Sequence, residues 1–99
     1  MKIRVSSRAR TQIRAQDGWW RANRSDAPDL FKQELAGAFL RILQSPKIRR
    51  PHGQIADEPV WRILMPRTEQ HVYYTVDEAA EEVVIELIWG ARRGREPRL

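Results

Sequence analysis

The chain contains no cysteine, which excludes a disulfide framework and a thiolate metal site. Its two histidines, His52 and His71, stand 19 residues apart, so there is no recognisable ligand cluster and no metal or cofactor is expected. No apolar run approaches the roughly 18 residues of a membrane span, and the opening Met1-Lys2-Ile3-Arg4-Val5-Ser6 lacks the apolar region of a signal peptide. The expectation is a cytoplasmic protein without membrane contact. Glycine-rich phosphate loops are missing, and no serine has a convincing His and Asp partner set. The acids of Asp77-Glu78-Ala79-Ala80-Glu81-Glu82 lack cation-ligand spacing and read as a solvated hairpin tip.

Lysine is scarce as well. Of the 18 cations, 3 are lysine and 15 are arginine, against 13 acids, for a net charge of +5. That balance favours nucleic acid or an acidic protein as partner. Arginine also suits bidentate contacts to phosphate and carboxylate, although GC-rich coding would enrich it without any such role. At 99 residues the chain reads as one domain, 1–99, in which about 60 to 65% of the unfolded surface is buried. A hydrophobic fraction of 41% with four tryptophans is enough for one modest core.

Lys2-Ile3-Arg4-Val5-Ser6 alternates like a short edge strand, and Ser6 or Ser7 is a candidate helix N-cap. From Arg8 to Asn23, Ala9, Ile13 and Trp20 mark a narrow apolar stripe at helical spacing. A second helix is expected from the Ser25-Asp26-Ala27-Pro28-Asp29 start, capped by Ser25 or Asp26 and carrying Leu30, Phe31, Leu35, Ala38, Phe39, Ile42 and Leu43 on one face. Residues 46–59, with three prolines and a glycine, read as a long exposed loop bearing Lys47, Arg49, Arg50 and His52. Three apolar runs, Val60 to Met65, His71 to Val76 and Val83 to Trp89, then form an antiparallel meander. The fold class is therefore α+β, in the order β-α-α-β-β-β. The helical hairpin packs on one face of the sheet, and the other face is left open to a partner.

Chemistry on that open face would be electrostatic. Arg62, Arg67, His71, Arg92 and Arg93 are placed to converge, because neighbouring strands sit about 4.8 Å apart. Such a ring of cations suits a phosphodiester. RNA cleavage there would use in-line attack by the 2′-OH with arginines stabilising the transition state, and His71 or Tyr74 as proton-transfer group. The plain alternative is a solvated sheet face. Trp19 and Trp20 adjoin on one helix and cannot both face the core, so one is expected at a hairpin or partner contact. Trp61 and Trp89 read as lids on the core.

These residues, taken in order, resemble the RelE/ParE superfamily of toxins from type II toxin–antitoxin modules, which includes plasmid-stabilisation proteins. The likeness rests on Leu43-Gln44-Ser45-Pro46, Trp61-Arg62-Ile63-Leu64, His71-Val72-Tyr73-Tyr74-Thr75-Val76-Asp77 and Ile85-Glu86-Leu87-Ile88-Trp89-Gly90-Ala91-Arg92-Arg93. It implies a toxin held in a hetero-oligomer by an acidic, partly disordered antitoxin, with Arg14, Trp19, Trp20, Arg21 and Trp89 as contact candidates. RelE-like members are ribosome-dependent mRNA endoribonucleases; ParE-like members inhibit DNA gyrase and have no known catalytic activity. The resemblance implies Arg67 and Arg92, with His71, as catalytic groups if the chain is RelE-like. Arg62, Arg67, Arg92, Arg93 and Arg95 would grip the target in either case. The tail lacks the tyrosine that RelE-like enzymes present, and Trp89 stands where many ParE-like relatives have a histidine. The expectation leans to a growth-arresting gyrase inhibitor, with the ribosome and mRNA as alternative targets and an inactive binding module as the third reading.

Overall fold

The structure is a computed structural model that describes residues 1–47 and 50–99. Arg49, expected on the exposed loop, lies outside the described residues. The elements run β1 (Lys2–Val5), α1 (Ser7–Asn23), α2 (Leu30–Gln44), β2 (Gln54–Ile55), β3 (Glu58–Pro59), β4 (Trp61–Met65), β5 (Gln70–Asp77) and β6 (Glu82–Gly90). A four-stranded sheet has the order β1-β6-β5-β4. β4, β5 and β6 form the expected meander, and β1 joins its edge parallel to β6. The two helices span that crossover, as a parallel connection requires.

Ser6 fixes the start of α1 to the sheet. Its Oγ accepts from the Ala9 amide at 3.0 Å and donates to the Glu86 carbonyl at 2.8 Å. α2 begins later than its sequence signals imply, at Leu30. The segment before it forms turns, and the Asp29 carboxylate, which could have capped the helix, is held by Arg21 at 2.7 Å. Leu35, Ala38 and Ile42 on α2 are buried with Ile63, Val72, Tyr74, Val83 and Ile85 of the sheet, and Phe31 is inaccessible to solvent. Burying such a side chain is worth about 1.5 to 3 kcal/mol. α1 contributes less, burying only Ala9 fully while Ile13 and Trp20 pack at the margin.

The opposite face departs from expectation: it is not open. Val60, Tyr73 and Leu87 are buried there, with Ile55 and Trp89 packed against them. The cover comes from residues 52–59 and the tail. Within that region β2 and β3 pair as a two-stranded ribbon, Ile55 opposite Glu58, around Ala56 and Asp57 at φ of 50° and 67°. Two left-handed residues give the twist that a tight hairpin needs. Beyond its two strands the hairpin is continued by the His52 amide on the Val60 carbonyl at 2.6 Å and the Val60 amide on the Gly53 carbonyl at 3.0 Å. Among the described residues, no helix is long and apolar enough to cross a membrane.

Candidate functional site

Strand alternation aims Arg62, His71 and Tyr73 away from the helices, and the register sets Arg62 directly across from Tyr73 and His71 across from Trp89. Arg62 Nη1 donates to the Tyr73 hydroxyl at 3.2 Å. That hydroxyl donates in turn to Glu96 Oε2 at 3.2 Å, while Arg62 faces the same carboxylate oxygen at 3.5 Å. The His71 ring stands edge-on to Tyr73, with centroids 6.2 Å apart at 71°. His52 closes one side of a cavity of about 240 Å³ lined also by Tyr73, Glu96, Pro97 and Leu99.

The electrostatics favour neutral imidazoles. Burial, and next the Arg62 charge, push both His71 and His52 below the ordinary histidine value; Glu96 opposes this in each case. Burial raises the Tyr73 phenol, so it keeps its proton at neutral pH. The cluster thus holds a protonated hydroxyl bonded to a guanidinium, with an imidazole whose proton affinity is lowered edge-on to the same tyrosine ring.

The tail lies across this face. Trp89 Nε1 donates to the Arg95 carbonyl at 2.9 Å, and the Arg93 guanidinium stacks 4.3 Å from the Trp89 ring with Arg95 at 5.9 Å. Arg8 Nη1 reaches back to the Arg98 carbonyl at 2.7 Å, and Pro97 is buried. Glu96, carried by this strap, places its carboxylate against the Arg62 guanidinium.

The residues expected to converge divide into two groups. Arg62 and His71 meet in the cluster, and Arg93 and Arg95 flank it through Trp89. Arg67 and Arg92 sit instead at the end of the sheet: Arg92 pairs with Glu69 at 2.7 Å, and the Arg67 amide donates to Glu34 at 2.7 Å. Tyr74 is fully buried on the helix side and donates to the Pro46 carbonyl at 2.8 Å, which removes it as a proton-transfer candidate. Tyr73, one residue earlier, is the β5 tyrosine whose hydroxyl reaches Arg62 and Glu96. On α1, Trp20 packs on the core margin and Trp19 is 47% exposed. Arg21 is raised above its ordinary value, chiefly by its hydrogen bond to Asp17. Arg14 is exposed, and Trp89 lies on the opposite face, so the five contact candidates do not form one surface. Residue patterns did not single out Glu96, His52 or Tyr73 for the site, although the alternation of His71 with Tyr73 along β5 was a signal that could have found the last.

No protein-family model and no curated protein matches the chain. Among solved structures it is similar to the isolated E. coli RelE toxin, at TM-score 0.61 and 17% identity, over 95% of this chain and 87% of that one. It is equally similar, at TM-score 0.61 and 17% identity, to a chain of the intact E. coli RelBE toxin–antitoxin complex, over 93% of this chain and 98% of that one. The fold is that of RelE.

Proposed function

We propose that the chain is the toxin of a type II toxin–antitoxin pair and that it cleaves mRNA on the ribosome. The reading rests on the Arg62–Tyr73–Glu96 contacts beside a neutral His71. The gyrase-directed expectation drew its weight from a tail without tyrosine. The far face supplies a phenol and an imidazole from β5 itself, so that argument loses its force, and the likeness in fold is to RelE.

The groups present support the following chemistry. His71 takes the proton of a ribose 2′-OH, whose oxygen attacks the adjacent phosphorus. Arg62 pairs with the non-bridging oxygens as negative charge builds on them. The bond to the 5′-oxygen breaks, and Tyr73 gives that oxygen its proton. The products are a 2′,3′-cyclic phosphate and a 5′-hydroxyl; His71 and Tyr73 then exchange protons with water. Glu96 must leave Arg62 before RNA can bind, so the strap acts as a plug. An acidic antitoxin in a hetero-oligomer with the toxin would hold the same cations.

The test sets two assays side by side. Purified protein is added to mRNA-programmed ribosomes and, separately, to gyrase in a supercoiling assay. Truncated messages with gyrase unaffected are expected. Inhibited supercoiling with intact mRNA would return the gyrase reading, and neither effect would leave a basic binding module.

A further inference from the structure

At the end of the sheet where β4 turns into β5 and β6 departs, two depressions adjoin. One, of about 560 Å³, lies between the second half of α1 and the β4–β5 turn and includes Trp19, Trp20, Arg24 and Arg67 in its lining. The other, of about 370 Å³, includes Arg92 and Arg93. Gln16, Thr68, Glu69 and Gln70 border both, which makes them one groove.

The groove is cationic and aromatic at once. Arg24 and Arg67 have no ion-pair partner among the described residues, whereas Arg92 is matched by Glu69. Glu34, reaching the turn from α2, is saturated by the Arg67 amide and by the Thr68 amide and hydroxyl at 2.7, 2.8 and 2.6 Å. Trp19 and Trp20 meet edge to face at 5.5 Å, and the Arg24 guanidinium lies 5.9 and 5.6 Å from their ring centroids. Trp20 turns to the core margin, so the exposed Trp19 ring offers a flat surface bordered by guanidinium groups.

We propose that this groove is a second subsite for single-stranded RNA, taking nucleotides that flank the scissile phosphate. Phosphates pair with Arg67 and Arg24, and a base stacks on Trp19. This rests on the RNA reading of the far-face cluster, and the two places are continuous. Gln70 faces the helices, where its Nε2 donates to Gln16 Oε1 at 3.0 Å, so the groove passes to the far face around the end of the sheet. Arg93 belongs to both, because it lines the groove and stacks on Trp89. An acidic peptide would satisfy the arginines but would need an aromatic side chain at the right place for the Trp19 ring, whereas every nucleotide carries a flat base next to its phosphate. Any base will do, so the subsite holds RNA without reading its sequence.

Fluorescence anisotropy tests this on the full chain with 2′-O-methyl oligouridines of ten and of three nucleotides, which cannot undergo 2′-OH attack. Trp19→Ala is expected to weaken the ten-mer about tenfold and to leave the three-mer, bound at Arg62, unchanged. Trp19→Phe retains a ring and most of the affinity, which separates stacking from damage to the fold. Arg67→Ala is expected to lower the slope of log affinity against log salt by about 0.7. Ten-mer binding unchanged in both alanine variants overturns the proposal. So does equal weakening of both oligomers, or Trp19 dependence seen with an oligoglutamate peptide and not with RNA. Wild-type protein that binds the ten-mer through Trp19 and Arg67 yet leaves mRNA intact on ribosomes refutes the cleavage reading and upholds the groove.

Discussion

The two faces of one sheet have been given opposite work. Facing the helices, Ile63, Val72, Tyr74 and Ile85 sit in a dry apolar layer with α2. Facing away, the same strands present Arg62, His71 and Tyr73, and their apolar support is the small cluster of Val60, Tyr73 and Leu87. The helix face supplies most of the folding energy. The far face spends part of its area on polar groups whose neighbours shift their proton affinities, which is the usual mark of a functional surface. Tyr73 joins the two roles, with its ring in the apolar cluster and its hydroxyl between Arg62 and Glu96.

The comparison can be broken most severely from the helix side. Phe31→Ala removes a fully buried ring and is expected to cost about 3 to 5 kcal/mol of stability, read by urea unfolding; on a domain of this size that leaves little native protein. A change near 1 kcal/mol would mean that the helix layer is not the main source of stability. On the far face, His71→Gln is expected to reduce cleavage about 100-fold or more with a folded protein remaining.

The same variant tests the pH dependence. In the folded state His71 titrates below its unfolded value, so the unfolded chain binds more protons between the two. The stability contributed by the neutral ring is therefore complete above the ordinary histidine range and is lost as pH falls through that range toward the folded value. Wild-type stability should rise with pH across the window, and His71→Gln should flatten part of that rise, the rest belonging to His52. A slope of the opposite sign would show that His71 is stabilised as a cation.

Tyr73→Phe isolates the hydroxyl. It is expected to leave the fold within about 1 kcal/mol and to slow cleavage roughly tenfold or more, measured on programmed ribosomes. Equal activity would remove the phenol from the mechanism. The smallest effect concerns the plug: Glu96→Gln should strengthen RNA binding a few-fold, since an exposed ion pair is worth about 0.2 to 1 kcal/mol. Weaker binding or lost cleavage would make Glu96 a participant instead.

Both helices and the meander were legible because their residues carry clear periods, 3.6 in α2 and 2 in β5. The period of β5 puts His71 and Tyr73 on one face and Tyr74 on the other, so an open-face role for Tyr74 went against the strand's own alternation. The β2–β3 ribbon was hidden because its turn places Ala56 and Asp57 in the left-handed region without the glycine or asparagine that announces such turns. The start of α2 was misplaced because the segment read as its first turn closes instead into separate turns, with the Ala27 amide on the Arg24 carbonyl and the Leu30 amide on the Ala27 carbonyl. The strap has no periodic signal at all; its position depends on Trp89, Arg8 and a Tyr73–Glu96 bond spanning 23 residues. Arg67 and Arg92 looked convergent with Arg62 because strand spacing was legible, while the extent to which the turn and the sheet exit project past the last rung was not.

The central claim is that the far face directs a 2′-OH against its own phosphate through Arg62 and His71. The most direct measurement is the chemistry of the ends on mRNA cut by the purified protein on ribosomes. The account predicts 2′,3′-cyclic phosphate and 5′-hydroxyl ends, absent when Arg62→Ala is used with equal folding by circular dichroism. Ends bearing a 3′-hydroxyl and 5′-phosphate, or cleavage that survives Arg62→Ala, would contradict it.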